Sequence, residues 1–284
     1  MNGKTCLITG ATSGIGYGIA KSLAARNFTL VLIGRSQEKG QRLVNELEGL
    51  TGNSSLVYYT IDLCSQKQVR RAAQEISHNH PRIDVLINNA AIWTSHCELT
   101  DERIEKQFAV NHLAYFLLTH LLYANVARSS DGRIINIGSD SHRYGKIHFD
   151  DLNLEQSYHG LKAYGQSKLA NLLFTYELHR LKKEDHVSVY CVQPGLVNTD
   201  IGVKHTSPFH ALMWRLRRLG GQSPEKAAET AIYLATASEA ARKSGFYWDN
   251  CRPKPSSARS HDRAIASRLW KVSEQLCGID RYFK

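Results

Sequence analysis

The sequence predicts a doubly wound α/β fold with a parallel sheet of about seven strands and helices on both faces. Short, continuously apolar runs alternate with amphipathic segments along the 284 residues. Such uninterrupted runs are typical of parallel strands that are buried on both faces. No repeat, low-complexity tract or linker divides the chain. We therefore predict one domain over residues 1–284.

The predicted strands are short and rich in β-branched residues. In chain order they are Thr5–Thr9, Phe28–Ile33, Leu56–Ile61, Ile83–Ile87, Arg133–Ile137 and His186–Val192, with a shorter Phe246–Trp248 at the sheet edge. Because strand and helix patterns alternate, the right-handed crossover rule places the helices on both faces of the sheet.

The predicted helices between these strands carry apolar residues at helical spacing. They cover Ile15–Ala25, Gln37–Leu47, Gln66–His78, Asp101–Ala127 and Ala163–Leu181. Another helix opens at Ser223 and Pro224, residue types that suit the N-cap and the first helical position. A final helix is predicted over Ala258–Leu276, with Gly278 at its end.

Composition and charge exclude several classes of protein. The net charge is +10, but the basic residues are scattered and no stacking-and-basic motif supports nucleic-acid binding. None of the six cysteines forms a C-x-x-C pair, and neither cysteine nor histidine spacing indicates a metal site. The cysteine pattern fits a reducing compartment. The first strand begins almost at once, so we expect a cytoplasmic protein without a leader or membrane anchor.

A glycine-rich turn follows the first strand. Thr9–Gly16 carries glycines at 10, 14 and 16 and opens an amphipathic helix. This is the context required of a dinucleotide site, because the glycines let a pyrophosphate approach the helix N-terminus.

The end of the second strand indicates which dinucleotide is bound. NAD-binding versions carry an acidic residue near this place to hold the ribose 2′-hydroxyl. This chain has Arg35 there, followed by Ser36 and Lys39. A guanidinium suits a 2′-phosphate, so we predict NADP(H).

Tyr164 and Lys168 lie four residues apart, which puts both side chains on one face of a helix. A nearby ammonium stabilises a phenolate and lowers the pKa of the tyrosine. The pair is therefore a candidate proton-transfer unit, although the spacing alone also fits a packed tyrosine beside a solvated lysine.

With these motifs the chain resembles the short-chain dehydrogenase/reductase superfamily, over nearly its whole length. Thr9–Gly16 fits T-G-x-x-x-G-x-G, residues 88–91 match N-N-A-G except for Ala91, and Pro194-Gly195 matches the P-G after the sixth strand. The resemblance implies a Rossmann-type dehydrogenase domain. It also implies a catalytic tetrad of Asn111, Ser139, Tyr164 and Lys168.

The resemblance further implies the cofactor contacts. Besides Tyr164 and Lys168, it assigns them to Gly10, Ser13, Gly14, Ile15, Gly16, Arg35, Ser36, Asp62, Leu63, Asn89, Ala90, Pro194, Gly195, Val197 and Thr199.

Within the superfamily the chain looks most like the retinol dehydrogenase group. Ser139 and Tyr164 are twenty-five residues apart, and the insert between them contains Phe149-Asp150-Asp151-Leu152-Asn153, similar to that group's F-x-D-L-N. Arg268-Leu269-Trp270 resembles its C-terminal motif, in an extension over about 250–284. The substrate expected from the group is a lipophilic carbonyl or alcohol, retinaldehyde- or retinol-like, or sterol- or isoprenoid-like.

Residues 199–222 mix apolar, aromatic and basic side chains and form a candidate substrate lid. The cluster Trp214–Arg218 leaves two interpretations open: peripheral docking on an anionic membrane or lipid droplet, and an ordinary amphipathic surface helix. A homodimer through the long helix and the Tyr164 helix also stays open. His142 and Tyr144 are candidates for the pocket wall or for simple packing.

These observations predict an NADP(H)-dependent oxidoreductase that transfers a hydride between nicotinamide and a lipophilic carbonyl or alcohol, with Tyr164 as general acid/base. The alternative is a cofactor-sensing protein on the same fold with little turnover. The complete tetrad argues against that alternative.

Overall fold

The computed structural model describes residues 3–184, 186–197 and 221–283. Its strands are β1 (Thr5–Thr9), β2 (Thr29–Gly34), β3 (Leu56–Thr60), β4 (Val85–Asn88), β5 (Arg133–Ile137), β6 (Ser188–Val192), β7 (Phe246–Asp249) and β8 (Arg252–Pro253). They form one sheet in the order β3-β2-β1-β4-β5-β6-β7-β8. Strands β1 to β7 are parallel, and β8 is antiparallel to β7.

The helices of the described residues are α1 (Gly14–Ala24), α2 (Gln37–Thr51), α3 (Gln66–Asn79), α4 (Lys106–Phe108), α5 (Ala114–Ala127), α6 (Gly160–Leu181), α7 (Pro224–Thr236) and α8 (Arg263–Leu276). A π-helical turn, Ala109–Leu113, joins α4 to α5. Short 3₁₀ turns cover Asp140–Tyr144, Ser238–Lys243 and Ala258–His261.

Neighbouring residues of each strand point to opposite faces of the sheet, and helices cover both faces. In β1, Cys6 and Ile8 pack into a cluster with residues of α1, α2 and α7. Leu7, between them, packs into a second cluster with residues of α3, α5, α6 and α8. This double burial explains the continuous apolar runs of the sequence.

The functional end of the sheet is set by the strand order. From β1 the chain winds outward to β2 and β3, and then returns to β4 on the other side of β1. A doubly wound sheet opens a crevice at the carboxyl ends of the two strands where this reversal occurs. The turn after β1 and the loop after β4 therefore face each other.

The predicted doubly wound Rossmann-type fold is confirmed, and each predicted strand lies within two residues of an observed one. The sheet has one strand more than expected, the antiparallel β8. None of the helices within the described parts of the chain is long and apolar enough to cross a bilayer.

The predicted helix over Asp101–Ala127 is wrong at its start. Arg103 has a left-handed backbone with φ of 62°, and helical structure begins only at Lys106. The reason is Glu105, whose carboxylate accepts hydrogen bonds from the backbone N–H groups of Gln107 and Phe108 at 3.0 and 2.7 Å. These bonds cap the helix four residues after its predicted start.

Three other helix limits also differ by three residues or more. Helix α2 ends at Thr51, four residues after its predicted end, where Gly52 has a left-handed φ of 70°. The final helix begins at Arg263 instead of Ala258, because the Asp262 side chain caps it through the Ile265 N–H at 3.0 Å. The helix that carries Tyr164 begins three residues early, at Gly160. The helix predicted at Pro224 begins there, and Ser223 accepts a hydrogen bond from the Lys226 N–H.

Candidate active site

A cavity of about 490 Å³ opens at the carboxyl ends of β1, β4, β5 and β6. Most of the residues predicted for the site line it together. These are Gly10, Ser13, Gly14, Ile15, Arg35, Asp62, Leu63, Asn89, Ala90, Ser139, Tyr164, Lys168, Pro194, Gly195 and Val197. The structure thus brings the predicted phosphate-binding turn and three predicted tetrad members into one space.

The remaining predicted residues lie elsewhere. Gly16 is buried behind the turn, and Ser36 caps α2 by accepting a hydrogen bond from the Lys39 N–H. Asn111 is buried in the π-helical turn. Thr199 and nearly all of the predicted lid lie outside the described residues.

The turn after β1 presents backbone N–H groups to the cavity. Gly14, at the start of α1, has a left-handed φ of 56°, which glycine adopts without strain. A Cβ on Gly16 would overlap the Gly10 carbonyl oxygen, so the helix packs closely against the turn. Among the described residues Ser13 makes no side-chain cap to α1, and the first helical turn has no acidic residue. The helix N-terminus therefore remains available to an anion, which fits the pyrophosphate of a dinucleotide.

The loop after β4 fixes this turn. Asn89 Nδ2 donates to the backbone oxygens of Thr9 and Gly10 at 2.8 and 3.2 Å. In return, Thr9 Oγ1 accepts from the backbone N–H groups of Asn89 and Ala90 at 2.9 and 3.0 Å. Asn89 thus holds the two loops in register on either side of the switch point.

At the far end of the cavity, Arg35 follows β2 and Asp62 follows β3. Arg35 is exposed at the rim, and it forms no ion pair with any residue that the structure describes. Asp62 accepts a hydrogen bond from the Cys64 N–H at 3.0 Å, which shapes the loop after β3. At the rim, the Arg35 guanidinium is thus without an acidic partner from the described part of the chain, and it lies beside the loop after β3.

Tyr164 and Lys168 project from the first half of α6. The Lys168 ammonium lies 5.5 Å from the centroid of the Tyr164 ring and donates a hydrogen bond to the Ile137 carbonyl at 2.9 Å. Lys168 is fully buried, and this burial lowers the pKa of its ammonium to about 8. The ammonium has one carbonyl partner among the described residues, so it can donate further hydrogen bonds to a ligand.

Ser139 ends the segment after β5, beside this pair. Its Oγ accepts a hydrogen bond from the Ser141 N–H at 3.1 Å and lies 3.2 Å from Ser141 Oγ. Tyr144 contributes an exposed ring to the same wall, and its hydroxyl lies 3.3 Å from Ser141 Oγ. His142, the other candidate for the wall, packs behind it instead and is buried.

Asn111 connects the π-helical turn to two other parts of the site. Its Oδ1 accepts from the Ile92 N–H at 2.8 Å, and its Nδ2 donates to the Ile92 carbonyl at 3.0 Å. Nδ2 also donates to Ser167 Oγ at 3.1 Å, and Ser167 donates to the Tyr164 carbonyl. Asn111 thereby fixes the loop after β4 relative to the helix of Tyr164. π-Helical turns are often found at functional sites.

Several wall residues escaped the sequence analysis. Trp93, Ser141, Gln193 and Pro224 all line the cavity. Trp93 lies two residues after the match at 88–91, and Gln193 directly precedes Pro194-Gly195. Both are in loops at the carboxyl ends of strands, β4 and β6, and this position alone could have identified them. Pro224 comes from the start of α7, and nothing in the sequence placed it near the turn after β1.

Comparison with known proteins agrees with this geometry. Residues 4–208 match the short chain dehydrogenase family model. The chain is 38% identical to human retinol dehydrogenase 14, over 98% of this chain and 88% of that protein. It is 39% identical to human retinol dehydrogenase 13, over 98% and 86%.

Solved structures share the fold. An uncharacterised protein from Mycobacterium paratuberculosis is 30% identical with a TM-score of 0.78, covering 98% of this chain and 94% of that one. A short chain dehydrogenase from Shigella flexneri, solved in complex with NADP, superposes with a TM-score of 0.71 at 23% identity, covering 89% and 98%. The chain therefore belongs to the short-chain dehydrogenase/reductase family, in its retinol dehydrogenase-like group, and is an NAD(P)-dependent oxidoreductase that acts on alcohols.

Proposed function

We propose that the protein is an NADP(H)-dependent oxidoreductase for a lipophilic carbonyl or alcohol, retinaldehyde- or retinol-like, or sterol- or isoprenoid-like. The observation that carries this proposal is the shared cavity, in which Ser139, Tyr164 and Lys168 lie in the same space as the turn after β1. Proton-transfer groups and an anion-binding helix end meet there, as hydride transfer from a dinucleotide requires.

The nicotinamide supplies or accepts the hydride, and the chain supplies the proton and the geometry. In reduction, the Tyr164 hydroxyl donates a proton to the substrate oxygen as negative charge develops on it. In oxidation, the Tyr164 phenolate takes that proton. General acid–base catalysis of this kind contributes about 10²–10⁴-fold to a rate.

Lys168 makes Tyr164 a better proton donor when its ammonium is charged, because a nearby cation stabilises the phenolate. The ammonium lies 5.5 Å from the centroid of the Tyr164 ring, within the range of a cation–π contact, which places the cation beside the tyrosine. Because Lys168 is buried, water does not screen its interaction with Tyr164. The ammonium would also donate hydrogen bonds to the ribose hydroxyls of the bound cofactor.

Ser139 and Asn111 complete the proposed tetrad. Ser139 orients the substrate oxygen by a hydrogen bond from its hydroxyl, which then leaves its present partner Ser141. Asn111 uses its amide nitrogen to connect the loop after β4 with helix α6. We assign to the Asn111 turn the water that relays protons between Lys168 and solvent.

The preference for NADP(H) follows from Arg35, with Ser36 beside it. Arg35 is free of acidic partners among the described residues and lies at the rim where the adenosine ribose is expected. A 2′-phosphate would receive a charge-assisted hydrogen bond from its guanidinium, whereas NAD offers only a hydroxyl there. The Shigella relative was solved with NADP, which supports the same choice.

The substrate class follows from the cavity wall and from the relatives. Ile92, Trp93, Tyr144 and Leu196 give the wall near Ser139 an apolar and aromatic character. A lipophilic carbonyl gains by leaving water for such a wall. The names of the curated relatives identify retinol as their substrate, which makes retinaldehyde and retinol the first compounds to test.

Four further features are part of this proposal: a single domain, a substrate lid at 199–222, peripheral contact with a membrane and a homodimer. A homodimer through α5 and α6 would have to use the surface that the C-terminal residues leave open. Tyr282 OH already donates to the Phe116 carbonyl of α5 at 3.0 Å, and the Trp270 ring of α8 lies 5.9 Å from that of Phe174 on α6.

The proposal is tested by following NADPH oxidation with four carbonyls: retinaldehyde, a steroid ketone, an isoprenoid aldehyde and a small quinone. We expect turnover with at least one lipophilic compound and a lower KM for NADPH than for NADH. Tight NADPH binding without turnover on any of the four would favour the cofactor-sensing alternative.

A further inference from the structure

The loop that carries Ser139 is held by a part of the chain more than a hundred residues away. Ser139 begins the 3₁₀ turn Asp140–Tyr144, and its hydroxyl is engaged locally with Ser141. Its backbone carbonyl is engaged elsewhere, by His142. That histidine and Asp140 each have one partner in residues 254–257, which we name the serine clamp.

His142 is fully buried and uses both of its ring nitrogens. Nδ1 lies 2.7 Å from the Ser139 carbonyl oxygen, and Nε2 lies 3.0 Å from the backbone nitrogen of Ser257. A backbone N–H can only donate, so Nε2 is the acceptor and Nδ1 carries the hydrogen that it donates to the carbonyl. The two backbone partners thus select one neutral tautomer. Burial lowers the pKa of His142, which also favours the neutral ring.

Asp140 provides a second connection to the clamp. Its Oδ2 accepts from the Lys254 ammonium at 2.7 Å, and its Oδ1 accepts from the Tyr247 hydroxyl at 3.1 Å. Lys254 is itself held by Asp249 at 2.9 Å. The Asp140 N–H donates to Gln193 Oε1 at 2.9 Å, which ties the loop to the end of β6. A network of this kind restricts the loop more than one partly exposed ion pair would.

We propose that the serine clamp positions Ser139 for the substrate oxygen, with Lys254 of the clamp and His142, which the clamp contacts, as the positioning residues. The inference rests on the proposed role of Ser139. His142 bonds the Ser139 carbonyl and Lys254 bonds Asp140, and neither His142 nor Lys254 is among the described residues that line the cavity. A displacement of about 1 Å in a positioned group can cost about 100-fold in rate. The clamp therefore affects the carbonyl step and leaves the dinucleotide end of the cavity unchanged.

The first test replaces each connection separately. His142→Phe keeps a ring of similar shape but removes both hydrogen bonds, and Lys254→Met keeps the aliphatic stem but removes the charge. We expect each variant to lower kcat/KM for the best carbonyl of the screen, about 10- to 100-fold for His142→Phe, and to keep the KM for NADPH within about twofold. Lys254→Arg should restore most of the loss.

The second test is a double-mutant cycle with Ser139→Ala. If His142 acts through Ser139, adding His142→Phe to Ser139→Ala should cause little further loss of kcat/KM, since the group being positioned is already absent. Independent, multiplicative losses would overturn the proposal. His179→Phe is the matched control, because His179 lies near the end of α6 and bonds Ser244, away from both the Ser139 loop and residues 254–257.

The outcomes separate the clamp from the proposed function. If Ser139→Ala reduces turnover while folded His142→Phe and Lys254→Met retain wild-type kinetics, the clamp is overturned and the proposed function stands. If Ser139→Ala itself has no effect, the proposed function fails at that residue and the clamp fails with it. Should His142→Phe not fold, Lys254→Met and Lys254→Arg carry the test, because Lys254 is partly exposed and its replacement leaves the core intact.

Discussion

Lys168 reaches from α6 to the end of β5, where its ammonium lies 2.9 Å from the Ile137 carbonyl oxygen and 5.5 Å from the centroid of the Tyr164 ring. One helical turn separates the two residues, and their side chains share one wall of the cavity. Under the proposed mechanism the two residues have different roles: Tyr164 exchanges a proton with the substrate, and Lys168 adjusts how readily it does so.

Tyr164→Phe should remove most turnover. Phenylalanine keeps the ring but lacks the proton donor, so kcat should fall by about 10²–10⁴-fold. NADPH binding, followed by the change in cofactor fluorescence, should stay close to wild type. A variant that binds NADPH and also reduces the carbonyl at the wild-type rate would remove Tyr164 from the mechanism.

Lys168→Met should change how stability depends on pH. Burial lowers the pKa of Lys168 in the folded protein from 10.5 to about 8. Between these pH values the unfolded chain binds more protons than the folded one, so raising the pH stabilises the folded protein. The stability gained in this way is fully present above pH 10.5 and is lost as pH falls through about 8. The free energy of unfolding of the wild type relative to Lys168→Met should thus rise by up to about 3 kcal/mol over that interval.

Urea unfolding at several pH values from 7 to 10.5 measures this difference. Comparing the two proteins at each pH cancels the titration of groups that they share. A difference that stays flat over the interval, or that shrinks as pH rises, would contradict the buried, shifted lysine.

Arg35→Ala should weaken NADPH more than NADH. Losing a charge-assisted hydrogen bond to the 2′-phosphate costs about 1.5–3 kcal/mol, which is roughly a 10- to 100-fold rise in KM for NADPH. Arg42→Ala is a suitable control, because Arg42 lies on the exposed side of α2 and pairs with Glu38. Equal effects of Arg35→Ala on both cofactors would count against NADP(H) preference.

Gly16→Ala should abolish dinucleotide binding or prevent folding. The new Cβ would overlap the Gly10 carbonyl oxygen, and this backbone contact cannot move without displacing the turn after β1. Gly49→Ala in α2 is the control and should be tolerated, because its Cβ would meet nothing within 4 Å. A glycine in an exposed helix costs roughly 0.5–1 kcal/mol relative to alanine, so Gly49→Ala should raise stability and leave NADPH binding intact.

The sequence predicted the strands well because burial on both faces leaves a clear local pattern. Strands β1 and β5 have the predicted limits. The antiparallel strand β8 was not predicted, because the turn before it has an unusual sequence. Asn250 and Cys251 both have left-handed φ, 47° and 58°, as a tight hairpin requires, but cysteine stands where glycine would normally announce that turn.

The π-helical turn at Asn111 could not have been predicted from helical spacing. It depends on the bonds that Asn111 makes to Ile92 and Ser167, residues far away in the chain. The glycine turn and the Tyr164–Lys168 pair are local motifs, so both could be predicted from the sequence. The His142 connection depends on Ser257 and becomes visible only in three dimensions.

The serine clamp also bears on the order in which the protein is built. His142 and Ser257 are 115 positions apart, whereas Asn89 meets the turn after β1 only about 80 positions after it was synthesised. Chains emerge from the ribosome N-terminus first, and long-range contacts form only when both partners are present. We therefore expect a nascent chain to acquire its nucleotide-binding half early, and to become catalytically competent only after the clamp has emerged and docked.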